Sequence, residues 1–297
     1  MMPSVAHALR RVPHLRGYGL EAYRWISTYA RLYGVERRNP VIVFQMGKVG
    51  SSTVVDALEA SGCGPVLHVH TLTGEELGRA VARQRGSAAP YLHEHLITSS
   101  VLLRKLKDGL FPCRIITLTR EPVARAVSHV FEDNRKKMEQ VRQRHGAFTA
   151  ADVMAVVTDL LRTDNGIADP TRWFDRELRA VTGVDVFARP FDADRGYTIF
   201  ESSPAPVLLL RMEDLDRALR PALADFLGVD PASVLVGRRN VGAQKWYAEL
   251  LQEVKNTYRL PEPLAERVYG TRYVRHFYGE EAVAMRSRWT IRDEASS

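Results

Sequence analysis

The chain has 297 residues, a formal net charge of +7 and a sequence pI of about 9.5, with 45% hydrophobic and 26% charged residues. This balance excludes a wholly disordered chain, and the length suits one large α/β domain or such a domain with helical additions. The basic excess suits an anionic partner, whether nucleotide phosphate, acidic polysaccharide, nucleic acid or lipid surface.

Residues 1–38 read as an N-terminal helical segment. Its first residues lack the apolar run of a signal peptide, and no stretch of about 18 apolar residues occurs that would span a membrane. From Tyr18 to Tyr33, Leu20, Tyr23, Ile26 and Ala30 recur near helical spacing with Arg24 and Arg31 between them. Two arrangements fit that pattern: a helix packed on the body of the protein, or one lying on a membrane surface. Asn39-Pro40 ends the segment.

Val41-Ile42-Val43-Phe44 reads as a strand buried on both faces, Gln45 to Gly50 as a loop, and Ser51 to Ser61 as a helix closed by Gly62 and Gly64. Val66 to His70 and Arg114 to Thr119 read as further strands, and a helix starts at Glu121-Pro122. Thr149 to Tyr197 is less strand-like and reads as a mostly helical insertion. Pro206 to Met212 is another strand, followed by helical patterns over Asp214 to Leu227, Ala243 to Tyr258 and Leu264 to Phe277. Strands alternating with helices predict an α/β fold with a mainly parallel central sheet flanked by helices over residues 39–290, and a frayed tail at 291–297. Cys63 and Cys113 show neither a zinc pattern nor a disulfide framework, so both are expected as reduced thiols in the cytoplasm.

Two segments carry chemistry. In the first, a strand runs through Gly47-Lys48-Val49-Gly50 into Ser51-Ser52-Thr53. Glycines admit close backbone approach, the helix N-terminus offers N–H groups, the hydroxyls add donors and Lys48 adds a charge, which together make an anion cradle. It is not an ATP-binding Walker loop. Ile42 stands at the earlier glycine position, and Val49 replaces the hydroxyl that would ligate magnesium. In the second segment, a strand delivers Arg120 at its C-terminal end, Pro122 starts a helix, and Arg125 and Ser128 follow. An Arg fork with a Ser hydroxyl suits a phosphate, and Arg125 fits either that role or an exposed helix charge.

The Lys48-x-Gly50-x-Ser52-Thr53 order resembles the 5′-phosphosulfate loop of sulfotransferases. Arg120-x-Pro122-x-x-Arg125-x-x-Ser128 matches the 3′-phosphate site of the same superfamily at every fixed position. The resemblance implies a P-loop NTPase-like sulfotransferase fold and 3′-phosphoadenosine 5′-phosphosulfate as donor, leaving 3′,5′-adenosine bisphosphate. Lys48, Gly50, Ser51, Ser52 and Thr53 then hold the 5′ side, and Arg120 and Ser128 the 3′-phosphate, with no metal required. Asn240-Val-Gly-Ala-Gln-Lys245-Trp246-Tyr247, His276-Phe-Tyr-Gly and His68-Val-His70 further resemble a sulfotransferase-like family of capsular polysaccharide synthesis proteins, over roughly residues 40 to 290. That family is named for an Asn-Lys-Trp-Tyr-Ser pattern. Here the Asn is displaced from Lys245, and Ala248 replaces the Ser. The resemblance points to a bacterial cell-surface or capsular glycan as acceptor. Lys245-Trp246-Tyr247 also fits a helix that turns its aromatics into the core, and Arg286, Arg288 and Trp289 could approach adenine or acceptor.

Transfer needs a base, and neutral His suits it near pH 7. His68/His70 and His93/His95 both alternate at period two, which in a strand puts both members on one face. His70 ends the second strand and is favoured by the capsular resemblance. His95 precedes Arg120 at the distance seen in better-known sulfotransferases. Glu94 and Glu132 are the carboxylate alternatives. The basic run from Arg135 to His145 fits a solvated helix face or a contact for an acidic glycan. Competing readings are a nucleotide or sugar kinase, a non-catalytic nucleotide- or glycan-binding protein of capsule assembly, and a nucleic-acid binder. No aromatic-plus-basic recognition motif supports the last, so no nucleic acid is expected.

Overall fold

The structure is a computed structural model and describes residues 13–87, 90–106, 109–133, 149–163, 169–237 and 247–290. Its centre is a five-stranded sheet of β1 (Val41–Phe44), β2 (Val66–Val69), β3 (Arg114–Thr119), β4 (Tyr197–Phe200) and β5 (Val207–Arg211), in the order β2-β1-β3-β5-β4. The first four strands in that order are parallel, and β4 lies antiparallel to β5 at the edge. The expected parallel α/β sheet is present, with strand limits within a residue of those expected. The edge strand β4 falls at the end of the stretch expected to be helical; it is short, and two of its four residues are only half-buried.

The helices are α1 (Pro13–Leu32), α2 (Ser51–Ala60), α3 (Gly74–Arg85), α4 (Glu94–Lys105), α5 (Pro122–Asp133) and α6 (Ala150–Arg162). A helical stretch at 171–182, α7, has a π-helical middle, Phe174–Arg179. Then come α8 (Leu215–Leu227), α9 (Ala248–Thr257), α10 (Glu262–Tyr269), α11 (Arg272–Tyr278) and α12 (Glu281–Trp289). The single helix expected over Leu264 to Phe277 is in fact two. A Cβ on Gly270 would sit 2.7 Å from the Glu266 carbonyl oxygen, and Thr271 restarts the helix by accepting from Val274 N at 3.3 Å.

Side chains alternate across the sheet, so it has two buried faces. Val41, Val43, Ile116, Leu118, Leu208 and Leu210 pack with α2 and α8. Ile42, Phe44, Ile115, Val207 and Leu209 pack with α5, α7 and the C-terminal helices. Helix α1 packs on the body, where Arg31 meets Glu94 of α4 at 3.2 Å. Among the described residues no helix is long and apolar enough to cross a membrane.

Topology determines where a ligand can lie. The chain leaves β1 outward to β2, then crosses back to β3 on the other side of β1. Open α/β sheets bind ligands beyond the strand carboxyl ends at such a reversal. Here the residues beyond β1 and β3 are the Lys48 loop and Arg120.

Candidate anion and acceptor site

The loop after β1 contains three positive-φ residues. Gly47 has φ 87°, Lys48 φ 62° and Gly50 φ 83°. The glycines adopt this region without strain. For Lys48 it costs about 1 kcal/mol, a type of strain that concentrates at functional sites.

Two arginines hold the loop from one side. Arg125 donates from Nε to Gly47 O at 3.1 Å and from Nη2 to Met46 O at 3.2 Å, and Arg120 donates from Nη1 to Lys48 O at 2.8 Å. In a trans peptide the N–H points opposite to the C=O. The amides of Gly47, Lys48 and Val49 therefore face away from the arginines, and the Gly47 N–H indeed meets Gln45 Oε1. Arg125 is thus not an exposed helix charge: it is buried, and burial pulls its pKa down to about 10. Helix α2 begins beyond Gly50 with no side chain capping its N-terminus. Ser51 is buried there, Ser52 is exposed and Thr53 half-buried.

A fully buried amide, Gln45, joins this loop to the histidines. Its Nε2 lies 3.0 Å from Ser51 Oγ, 3.0 Å from His68 Nε2 and 2.9 Å from His70 Nδ1. Because Oε1 accepts from Gly47 N, Nε2 is the NH2 group, with two hydrogens for three neighbours. His70 Nδ1 also lies 3.0 Å from the Gln45 carbonyl oxygen. In the assignment where Gln45 donates to Ser51 Oγ and His68 Nε2, His70 donates from Nδ1 to Gln45 O and carries its lone pair on Nε2. Burial and the neighbouring His70 lower the pKa of His68 to about 4, so its ring is neutral.

The two expected His pairs converge. His70 and His95 rings lie 5.3 Å apart, His68 and His70 5.0 Å, and His93 and His95 6.0 Å. The second pair is not on a strand, however. His93 is the N-cap residue of α4 and His95 lies in its first turn, so the loop before the helix and its first turn, not strand alternation, bring the rings side by side. Among the described residues no group of three or more His, Cys, Asp or Glu could hold a metal ion. Glu94 points to Arg31 on the exposed side, and the side chain of Glu132 lies outside the described residues.

The end of β3 is pinned by tyrosines. Tyr273 Oη lies 2.6 Å from Thr119 Oγ1 and accepts from Arg120 N at 2.9 Å, and Tyr278 Oη lies 3.2 Å from Thr119 Oγ1. Glu121 caps α5, accepting from Val123 N at 2.9 Å and Ala124 N at 2.6 Å, and takes Tyr269 Oη at 2.7 Å. Burial raises its pKa. Ser128 is half-buried on α5, one turn beyond Arg125 and on the same side by i, i+3 spacing.

Three contributors carried no sequence signal of their own. Glu177, in the π-helical segment, accepts from Thr71 Oγ1 at 2.6 Å, Leu72 N at 2.8 Å, Thr73 N at 3.1 Å and Thr73 Oγ1 at 2.8 Å. Trp173 donates from Nε1 to His70 O at 3.0 Å. Together they hold the chain directly after His70. Gln45 was legible only as the polar residue where a buried strand meets the loop.

Tyr247 is buried against Phe131, with ring centroids 5.0 Å apart, as a core-packing role requires. Asn240, Lys245 and Trp246, the Arg135 to His145 run and the 291–297 tail lie outside the described residues.

Residues 154–279 match the model of a family described as putative capsular polysaccharide synthesis protein. This span is shorter than the 40–290 expected from the motifs. It contains Trp173, Glu177, Tyr269, Tyr273 and Tyr278, but not the Lys48 loop, His68, His70, His93, His95 or Arg120. No curated protein and no solved structure matches the chain. What the comparison establishes is a similarity to that capsule-related family, through the part of the chain that supports the strand ends.

Proposed function

We propose that the chain is a sulfotransferase that moves a sulfuryl group from 3′-phosphoadenosine 5′-phosphosulfate to a hydroxyl of a capsular-type glycan. The observation that carries this reading is the juxtaposition of the Lys48 loop and Arg120, the two segments expected to hold anions. The Lys48 loop and Arg120 follow neighbouring parallel strands and are joined directly, Arg120 to Lys48 O at 2.8 Å. A ligand across them would meet one cationic site on each side, as a nucleotide with phosphates at both its 5′ and 3′ positions requires. The glycan part of the proposal comes from the capsule-related family match.

In this reading the donor supplies the sulfuryl group and leaves as the bisphosphate. Lys48, the amides of Lys48 and Val49 and the N-terminus of α2 hold the 5′ side and stabilise negative charge that grows there during transfer. Arg120 and Ser128 hold the 3′-phosphate. His70 takes the proton of the acceptor hydroxyl at Nε2, while its Nδ1–H to Gln45 O keeps the ring in that tautomer. His95, beside His70, is the alternative base. With Val49 where a Walker loop places its hydroxyl, the reading gives no role to a metal.

A thermal-shift comparison of 3′,5′-adenosine bisphosphate, 5′-AMP, GTP and ATP with magnesium tests the proposal. At a hundredfold excess over Kd a bound ligand adds roughly 2.7 kcal/mol of stability, which raises Tm by several degrees. The bisphosphate should give the largest rise. A larger rise with magnesium-ATP would sink the proposal in favour of a kinase. Selective bisphosphate binding without any turnover would identify a non-catalytic binder.

A further inference from the structure

We infer that the outer face of α1 docks the protein on an anionic lipid bilayer, independently of the reaction assigned to the site. The helix is built the wrong way round for an ordinary surface helix. Its one acid, Glu21, faces inward at 6% exposure, where Arg85 forks onto both carboxylate oxygens at 2.5 and 2.8 Å and Leu92 N donates at 2.9 Å. The residues facing water are aromatic and aliphatic. Tyr23 is 67% exposed and Ile26 71%, and Tyr33, just past the helix end, 86%; Tyr18, Leu20 and Tyr29 are exposed with them. At about 100° per residue five of these six fall within one half of the helix surface, and Leu20 lies just beyond its edge. Among the described residues they are six of the ten exposed large hydrophobic side chains, so the apolar surface is concentrated here.

The surroundings choose the occupant. The exposed face of the helix itself carries no carboxylate. At its border Arg31 pairs with exposed Glu94 and Glu36 pairs with Lys105, while Arg104 reaches Tyr29 Oη and lies over the Trp25 ring and exposed Arg37 follows the helix, so the border carries more cations than acids. A second copy would press like charges together around the tyrosines, which disfavours self-association. A convex cylinder roughly 30 Å long suits a flat bilayer. Tyrosine prefers the headgroup level, with its ring towards the acyl chains and its hydroxyl in water, and arginines at the border meet anionic headgroups. Arg24 of the same helix holds Leu92 O at 3.2 Å, next to His93 and α4. Docking through α1 would thus bring the histidine side of the sheet close to the lipid surface.

Co-sedimentation of the full chain with vesicles tests the inference. One set is phosphatidylcholine alone and the other is phosphatidylcholine mixed with phosphatidylglycerol. The chain should pellet with the anionic vesicles, lose binding as salt rises, and stay largely in solution with the neutral ones. Ile26→Asp, and separately Tyr23→Ser with Ile26→Ser and Tyr33→Ser, should weaken anionic binding about tenfold or more. These side chains are exposed, so unchanged circular dichroism and Tm are expected. Equal pelleting with both lipids, no pelleting with either, or unchanged binding by both variants would overturn the inference. So would a concentration-dependent dimer in lipid-free buffer that Ile26→Asp abolishes, since the face would then meet a second copy.

Discussion

Gln45 and His68 show how one residue sets the state of another. The Gln45 amide cannot rotate without breaking its bond from Gly47 N, so its NH2 end is directed at Ser51 and the histidines. With a Gln45 hydrogen directed at it, His68 Nε2 carries a lone pair, and burial keeps the ring neutral with a pKa of about 4 against the usual 6.5. The folded state therefore resists a proton that the unfolded chain accepts. As pH falls below about 6.5 the unfolded state binds more protons, and stability is lost until pH reaches about 4. Between pH 7 and pH 5 this amounts to about 2 kcal/mol from His68 alone. His68→Gln keeps an acceptor for Gln45 but cannot titrate. Urea unfolding at the two pH values should show a difference smaller by about that amount in the variant. An unchanged difference would mean that His68 is not held neutral by the fold.

At the scale of elements, the π-helical turn of α7 matters most. A π segment widens the helix and is often found near functional sites. Here it presents Glu177 to four donors of the loop after β2, while Trp173 one turn earlier holds His70 O. This element acts on the histidine side, not on the Lys48 cradle. Glu177→Gln leaves donors without acceptors and should cost about 1.5–3 kcal/mol in urea unfolding. Calorimetric affinity for 3′,5′-adenosine bisphosphate should stay within about threefold of wild type, because no cradle bond is lost. If affinity fell along with stability, the β2 loop and the cradle could not be separate units.

Across the whole molecule, the sheet order brings two loops distant in sequence to one edge, and the C-terminal helices lock them there. Tyr269, Tyr273 and Tyr278 reach the end of β3, so the segment similar to the capsule-related family braces a candidate site that it does not itself contain. Arg120 has two tasks in this arrangement: it holds Lys48 O and is proposed to meet the 3′-phosphate. Arg120→Ala should weaken 3′,5′-adenosine bisphosphate by roughly 10- to 150-fold, the value of one charge-assisted bond, and 5′-AMP by much less. Calorimetry on both nucleotides decides this. Equal losses would leave Arg120 as a brace for the Lys48 loop and remove the 3′ site.

By itself the sequence determined the parallel α/β core and its strand limits, because runs such as Val41–Phe44 and Val207–Arg211 are continuous apolar stretches bounded by turn residues. It also determined the Lys48 loop and the placing of Arg120 at a strand end, since glycine spacing and strand termini are local properties. Tertiary structure alone decided the rest. That Arg125 is buried depends on carbonyls of a loop far away in the chain. That His70 and His95 are neighbours depends on α4 packing beside β2, which converts two competing candidates into one cluster. Gln45 and Glu177 show no periodicity or motif, because a buried hydrogen-bonding role is defined by partners and not by spacing. The outer face of α1 reads as an ordinary amphipathic pattern in sequence; only the packed fold reveals that its acid points inward and its tyrosines outward.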